Sequence, residues 1–447
     1  MTAQIPYHQP EFTILAGLII GMSDRNFLNL HLFSVMEVHE EAHDYHVDVE
    51  TRVSIDKCPR CNTPGAVGFG RRKQQIRDLP THGKRTTIYV NTRRYRCKAC
   101  GKTFYEHLPY IEEGKTMTRR LVKWICEQAI NRTFVSIAED VGVSEGTVRL
   151  LFKEYGEQKN PTFNMPTPRW LGIDEIYLGK PRGVLADVEN RAVLDLLVNR
   201  NKSTVISRLS KFKDKERIEF VAIDMWRPYK EAVELVLPQA QIVVDKFHVV
   251  RMANDAVEKV RKAMRAGMTA KQKLGLKRDR FLLLKRHGDL SAQELMLLDG
   301  WVNSFPDLFK AYRLKEEFYM IYDAADAAEA KRRYEAWREA IPEAQAHYWH
   351  DLVRAWTNWE TEILAHFSHR VTNAYTESLN SVIRVIDRVG RGYSFEALRM
   401  KILLMQSGQA TDRPGFQPLD LADEERFPVN KPIDFETLMF ALHAATF

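Results

Sequence analysis

Two cysteine pairs constrain this chain most: Cys58-Pro-Arg-Cys61 and Cys97-Lys-Ala-Cys100. A Cys-x-x-Cys turn aims two sulfurs at one ion, and two such knuckles supply the four thiolates of a tetrahedral zinc site. The 35 residues between the knuckles must leave and return to one point, which a β-hairpin does, and the alternating run Thr86–Tyr95 reads as one of its strands. Four of the five cysteines are used this way, a pattern of metal binding rather than of a disulfide framework. A redox role for one pair lacks its βαβ context, and four ligands leave no open position, so a bound Zn²⁺ is expected to be structural. Lys57, Arg60, Arg96 and Lys98 flank the thiols and favour their ionised form. Cys126 sits in helical sequence and reads as core.

Charge is segregated along the chain. Residues 1–50 carry eight acidic residues and one Arg, whereas Arg52–Lys123 holds eighteen Lys/Arg against five Asp/Glu. This basic stretch is either a surface for a polyanion or a solvated face. With 447 residues, 45% hydrophobic and 28% charged, the composition is that of a multidomain globular protein. The apolar run Phe12–Met22 is shorter than the ~18 residues a membrane span needs. It also lacks the flanks of a secretory leader, so a cytoplasmic location without membrane contact is expected.

The expected organisation is multidomain α/β. Residues 1–50 form an N-terminal segment with a strand at Asp44–Val53, 51–115 a zinc-binding β module, and 116–160 a helix-turn-helix domain. Pro161, Pro166 and Pro168 interrupt regular structure and mark a boundary. Strands are then expected at Trp170–Leu178, Gly183–Val188 and Ala192–Val198, with turns at 180–183 and 189–191. A helix at Ser203–Phe212, a strand at Ile218–Ile223, a helix at Arg227–Val236 and a strand at Ala240–Val244 complete the order β-β-β-α-β-α-β over 168–250. Residues 251–365 are helix-rich without a strand, 366–411 carry a last amphipathic helix at Ala374–Val389, and 412–447 form a tail.

Within the helical unit, Phe134–Phe152 (FVSIAEDVGVSEGTVRLLF) has helix-turn-helix spacing. Ile137, Ala138, Val141, Val143, Val148 and Leu151 supply the contact between two short helices, Gly142 the turn and Ser144 a cap. The second helix then presents Glu145, Thr147, Arg149 and Lys153, the position that reads a major groove. An ordinary helical hairpin is the competing reading. Beside a basic zinc module, this unit makes double-stranded DNA the expected partner over RNA, membrane or acidic protein.

Three carboxylates stand where metal-dependent phosphoryl transfer would need them. Asp174 lies in LGIDEIYLG, Asp224 directly follows a strand in VAIDMWRPY, and Glu377 opens the last helix in TNAYTESLN. Singly, each is more often a turn former or ion-pair partner. Together, converging from two strands and a helix, they can hold two Mg²⁺ (or Mn²⁺) ions about 4 Å apart. Asp245 and His248 follow the next strand and read as supporting residues, holding substrate phosphate, backing the metal site or forming a buried polar pair. Trp226, Arg227, Tyr229 and Lys230 extend the basic-aromatic character beside Asp224, with Arg227 and Lys230 as candidate DNA contacts.

The knuckles with IRDLP at 76–80 between them, the helix-turn-helix, GIDE at 172–175, DMWRPYKEAVELVLPQAQIVVDKFHVV at 224–250 and TNAYTESLNSVIRVIDRVGRGYSFEALRMKIL at 372–403 together resemble the ISL-three family of bacterial insertion-sequence transposases. The resemblance spans roughly residues 10–410 in the family's domain order, and the last two blocks carry most of its specificity. It implies a ribonuclease-H-like catalytic core interrupted by an all-helical insertion, Mg²⁺ as cofactor, recognition of terminal inverted repeats, and a catalytic triad at Asp174, Asp224 and Glu377. The Asp-x-x-His at 245–248 looks like an element of Mutator-like transposases. In a ribonuclease-H-like sheet the first and fourth strands are neighbours, so Asp245, after the fifth, is expected beyond a two-metal cluster's reach of Asp174. The expected function is to bind transposon ends, hydrolyse the DNA and join 3′-hydroxyl ends to target DNA, as a homodimer in a synaptic complex. Two alternatives stay open: a DNA-binding regulator derived from a transposase, and a structure-specific nuclease of the same fold.

Overall fold

The computed structural model describes residues 28–53, 55, 57–112, 114–159, 166–369 and 374–406. The run Phe12–Met22, Pro161 and the 412–447 tail lie outside the described residues.

Period-two burial builds the first sheet. Its strands are β1 (Phe33–Glu40), β2 (Asp44–Thr51), β3 (Ala66–Thr81), β4 (Lys84–Cys97) and β5 (Thr103–Tyr105), ordered β1-β2-β4-β3 with β5 paired to β4. Along β2, Tyr45, Val47 and Val49 face one core with Phe33, Ile76, Ile88 and Val90. β2 runs parallel to β4, so strands from the stretch read as a separate N-terminal segment belong to the same sheet as the long β3–β4 hairpin.

Three helices follow: α1 (Arg119–Asn131), α2 (Phe134–Val141) and α3 (Glu145–Lys159). Thr118 and Thr133 cap the first two through their side-chain oxygens. Gly142 ends α2 at φ 71°, and a Cβ there would stand 3.1 Å from Arg85 Cδ. Ser144 Oγ accepts from the Thr147 amide at 3.2 Å and starts α3. Ile137, Ala138, Val141, Val148 and Leu151 are buried together, as the helix-turn-helix spacing requires.

The second sheet contains β6 (Trp170–Leu178), β7 (Lys180–Asp187), β8 (Ala192–Leu196), β9 (Phe220–Ile223) and β10 (Gln241–Val244), in the order β10-β9-β6-β7-β8. β6, β7 and β8 are antiparallel neighbours, while β9 and β10 run parallel to β6. This is the ribonuclease-H-like order. The turn expected at 180–183 is corrected: the hairpin reverses at Gly179, Leu178 faces Lys180, and 180–183 are strand. Pro181 is tolerated because β8 pairs only with Val184–Asp187, leaving Pro181 a neighbour on one side.

Helices cover both faces. They are α4 (Lys202–Leu209), α5 (Arg227–Val236), α6 (Lys246–Ala263), α7 (Ala270–Arg278), α8 (Ala292–Ser304), α9 (Pro306–Ile321), α10 (Ala327–Glu339), α11 (Ala346–His369), α12 (Ala374–Gly390) and α13 (Phe395–Gln406). Leu171, Ile173, Val221, Ile223 and Val244 face a core shared with α4, α5 and α6, continuous through Leu308, Phe318, Trp349 and Trp356 of the helical insertion. The opposite parity, Ile176, Val184, Ala186 and Val193, packs on Leu379, Ile383, Leu398 and Ile402 of α12 and α13. Asp174 shares the parity of Ile176 and so points to the α12 side.

The core does not end with α12, as the sequence suggested. α13 follows it and joins the helix-turn-helix core through Leu404. Its Lys401 side chain is buried and donates to the carbonyl oxygens of Ala129, Ile130 (3.3 Å) and Arg132 (2.8 Å) at the end of α1, with the rings of Phe134 and Tyr393 about it. An ammonium there meets the negative end of the helix dipole and satisfies carbonyls that α1 leaves unpaired. Lys401→Met should strip those acceptors and cost about 2–3 kcal/mol, seen as a lower urea midpoint for the unit containing α1 and α13. An unchanged midpoint would mean that Lys401 does not join the two parts.

Candidate metal centre and nucleic-acid interface

The two knuckles adopt the same local turn. The Cys58 amide donates to the Thr63 carbonyl and the Asn62 amide to the Cys58 carbonyl, while Cys97 pairs with Lys102 and Gly101 with Cys97 in the same way. Asn62 and Gly101 take φ 57° and 69°, the left-handed region that a short polar residue or glycine enters readily. Because Ala66 pairs with Cys97 at the base of the β3–β4 hairpin, the knuckles meet. Cys58 and Cys100 Sγ lie 3.9 Å apart, Cys61 and Cys97 Sγ 3.6 Å. Four thiolates about a zinc at about 2.3 Å would stand roughly 3.8 Å from one another, so this cluster fits zinc.

The carboxylates are aligned by strand register. Ile173 of β6 pairs with Ile223 of β9, and Ile223 pairs with Val244 of β10. Asp174, Asp224 and Asp245 are each the next residue, one row further along three adjacent strands. α12 crosses the face to which Asp174 points and adds Glu377 from its first turn. Asp245, His248 and Glu377 bring ligand atoms within 4.8 Å of one another. Asp245 thus meets the candidate triad through Glu377. It lies two strands from Asp174, about 10 Å at the backbone, as the strand order leads one to expect, and Glu377 feels the charges of both aspartates.

Asp174 is held at both oxygens, whereas several of its neighbours are left partly unsatisfied. Asp174 Oδ1 accepts from the Glu175 amide at 2.7 Å, and Oδ2 accepts from Asn380 Nδ2 at 2.8 Å. Asp245 caps α6, and its Oδ2, together with Asp224 Oδ1, His248 Nε2 and Asn380 Oδ1, is buried with no hydrogen-bond partner. Buried polar atoms are normally paired, so such a group of acceptors in one place suits a cation. Burial pushes Asp224 up to about 7, helped by the charges of Asp174 and Glu175. Burial, then Asp245 and Asp174, pushes Glu377 up to about 7, and burial also raises Asp174. Asn380 was not singled out from the sequence as a site residue. Its signal was its place three residues after Glu377, on the same helical face.

A zinc-finger model of transposases IS204/IS1001/IS1096/IS1165 matches residues 56–100, and a model of the helix-turn-helix domain of transposase family ISL3 matches 106–156. The transposase model of the same family matches residues 171–402. This chain belongs to the ISL3 family of transposases. The transposase is also 26% identical over 345 residues to the transposase for insertion sequence element IS1001 of Bordetella parapertussis, covering 75% of this chain and 85% of that one. It is an insertion-sequence enzyme that cleaves and transfers DNA, with a zinc ribbon and a DNA-binding helix-turn-helix. No helix among the described residues is long and apolar enough to cross a membrane.

The candidate DNA contacts of the transposase divide among four surroundings. Thr147, with Ser144, lines a groove against β3 of the zinc module. Arg149 and Lys153 line a cleft of about 790 Å³ between α3, β8, α4 and α13, and Arg149 is paired with Glu145 at 2.6 Å. Arg227 is exposed at the start of α5. Lys230 instead bonds Glu362 of α11 beside the Trp359 ring, which ties the insertion to the helix after Asp224.

Two measurements test the metal centres. Purified transposase should hold about one Zn²⁺ per chain, and Cys58→Ser should lose it while the second sheet stays folded. Zinc-free protein with an unaltered melting profile would remove the site. At the carboxylates, the raised Asp224 and Glu377 values mean that the folded, Mg²⁺-free transposase binds protons more tightly than the unfolded chain. The contribution of these two groups to stability therefore falls as pH rises from about 4 to about 7 and stays low above. Asp224→Asn should raise the melting midpoint at pH 8 and do so less at pH 5. Equal shifts at both pH values would show that the carboxylates do not repel one another as described.

Proposed function

We propose that Asp174, Asp224 and Glu377, with Asp245 and His248, hold two divalent ions, Mg²⁺ or Mn²⁺, at which transposon ends are cut and joined to target DNA. One observation carries this reading: Asp224 Oδ1, Asp245 Oδ2 and His248 Nε2 are all buried and unpaired beside carboxylates whose burial raises their affinity for a proton. Bound there, the ions would activate a water or 3′-hydroxyl and stabilise the leaving oxygen of an in-line displacement.

The chain's own work is positioning. Register sets the three aspartates in one row, Asn380 fixes the Asp174 carboxylate, and the Asp245 cap fixes the start of α6. Arg200 bonds Glu175 and lies 4.4 Å over the Trp226 ring, which holds Glu175 at the rim. The helix-turn-helix selects the terminal inverted repeats. Two ends must meet before joining, so the working form is a homodimer in a synaptic complex.

Asp174→Ala, Asp224→Ala and Glu377→Ala should abolish both strand cleavage and joining while end binding survives. Asp245→Asn keeps the helix cap and removes the charge. It should weaken Mn²⁺ binding and activity roughly 10- to 100-fold. Cleavage of supercoiled donor DNA, strand transfer from pre-cut ends and Mn²⁺ titration read these separately. Full activity in Asp224→Ala would overturn the assignment. Cutting of branched DNA without regard to the terminal repeat would mark a structure-specific nuclease instead.

A further inference from the structure

The half of the β3–β4 ribbon nearer the cysteines carries charged groups with no role in the metal chemistry. Every residue of β3 from Val67 to Lys73 is exposed, including Phe69. Two of its cations are already neutralised: Arg71 pairs with Glu50, and Lys73 with Asp48 at 2.5 Å. Arg72, Arg94 and Arg96 differ, since among the described residues no carboxylate pairs with them. Their guanidinium groups rest on aromatic rings, Arg72 at 4.9 Å from the Tyr105 centroid, Arg94 at 5.4 Å from Phe69 and 5.6 Å from Tyr105, and Arg96 at 5.8 Å from Phe69. Arg94 also donates to Thr103 Oγ1 at 3.0 Å. A guanidinium stacked in this way is restrained in orientation and keeps N–H donors for an acceptor such as phosphate.

The cluster's position points to its ligand. Arg72 also lines a groove of about 630 Å³ whose walls are Lys73, Gln75 and Arg77 of β3 and Ser144 and Thr147 at the start of α3. Whatever duplex receives the start of α3 in its major groove must pass along this wall. We propose that Arg72, Arg94 and Arg96, on the platform of Phe69 and Tyr105, bind backbone phosphates of the end duplex directly beside the bases contacted by α3. The zinc module is thereby a second DNA-contacting unit, and its zinc holds the ribbon's base against Cys97. This placement rests on α3 being the DNA-facing helix, so the experiment tests ribbon and helix separately.

The full chain carrying Arg72→Gln, Arg94→Gln and Arg96→Gln is compared with the parent on terminal-repeat duplex. Equilibrium binding across a salt series and hydroxyl-radical footprinting are read alongside zinc content. The plot of log affinity against log salt should become shallower by roughly 2–3. Backbone protection should disappear on one flank, and the protection due to α3 should remain. Arg72→Gln with Arg96→Gln, which leaves the Arg94–Thr103 bond intact, should lose roughly 1–2 of that slope and guards against a folding artefact. An unchanged slope and footprint in zinc-replete variants would overturn the proposal. Thr147→Ala with Ser144→Ala should remove the inner protection alone. If it leaves the footprint whole while the ribbon variant loses its flank, then α3 is not the reading helix, and the proposed placement falls with it.

Discussion

The structure is organised around like charges held together against their own repulsion. Asp174, Asp224 and Glu377 stand with Asp245 in one place, and for these three burial and neighbouring negative charge both oppose ionisation. Such a cluster persists only if its backbone supports are rigid. Three adjacent strands in register and a helix packed across them provide that rigidity, and the continuous core beneath offsets the unfavourable electrostatics. The same arrangement explains why Asn380 matters. An amide can orient Asp174 without adding a positive charge that would compete with a metal.

The helix-turn-helix and the catalytic sheet share α13. α12 and α13 cover one face of the catalytic sheet, and α13 also enters the core of the helix-turn-helix. The buried Lys401 ammonium joins the two by satisfying the end of α1. On the other side of the site, the Lys230–Glu362 pair binds the helical insertion to α5, the helix that follows Asp224. The orientation of the DNA-binding helices and the shape of the carboxylate cluster therefore rest on shared elements.

Much of this was legible in the sequence because it is local. A knuckle is a turn of a few residues, a strand declares itself by alternation and a helix by its cap and period, so the zinc cluster, the helix-turn-helix and the order of the catalytic strands all agree with the reading from residues alone. The turn misplaced at 180–183 has a local cause as well. Proline usually signals a break, but here it sits where its strand has only one neighbour.

What escaped the sequence depends on which distant groups meet. Strand counting sets Asp245 two strands from Asp174, but its meeting with Glu377 is set by a helix that returns after the whole insertion. Lys230, a candidate DNA contact by sequence, meets Glu362 of α11 132 residues away. Arg149, expected at the DNA, is also engaged by Glu145 one turn earlier and lines a cleft against the catalytic core. By itself, the sequence determined the elements, their order and the chemical groups available, because those follow from backbone propensity and periodicity. Only the tertiary structure decided which charges are paired and which are left for a ligand, because charge pairing depends on distances of a few ångströms between residues far apart in the chain.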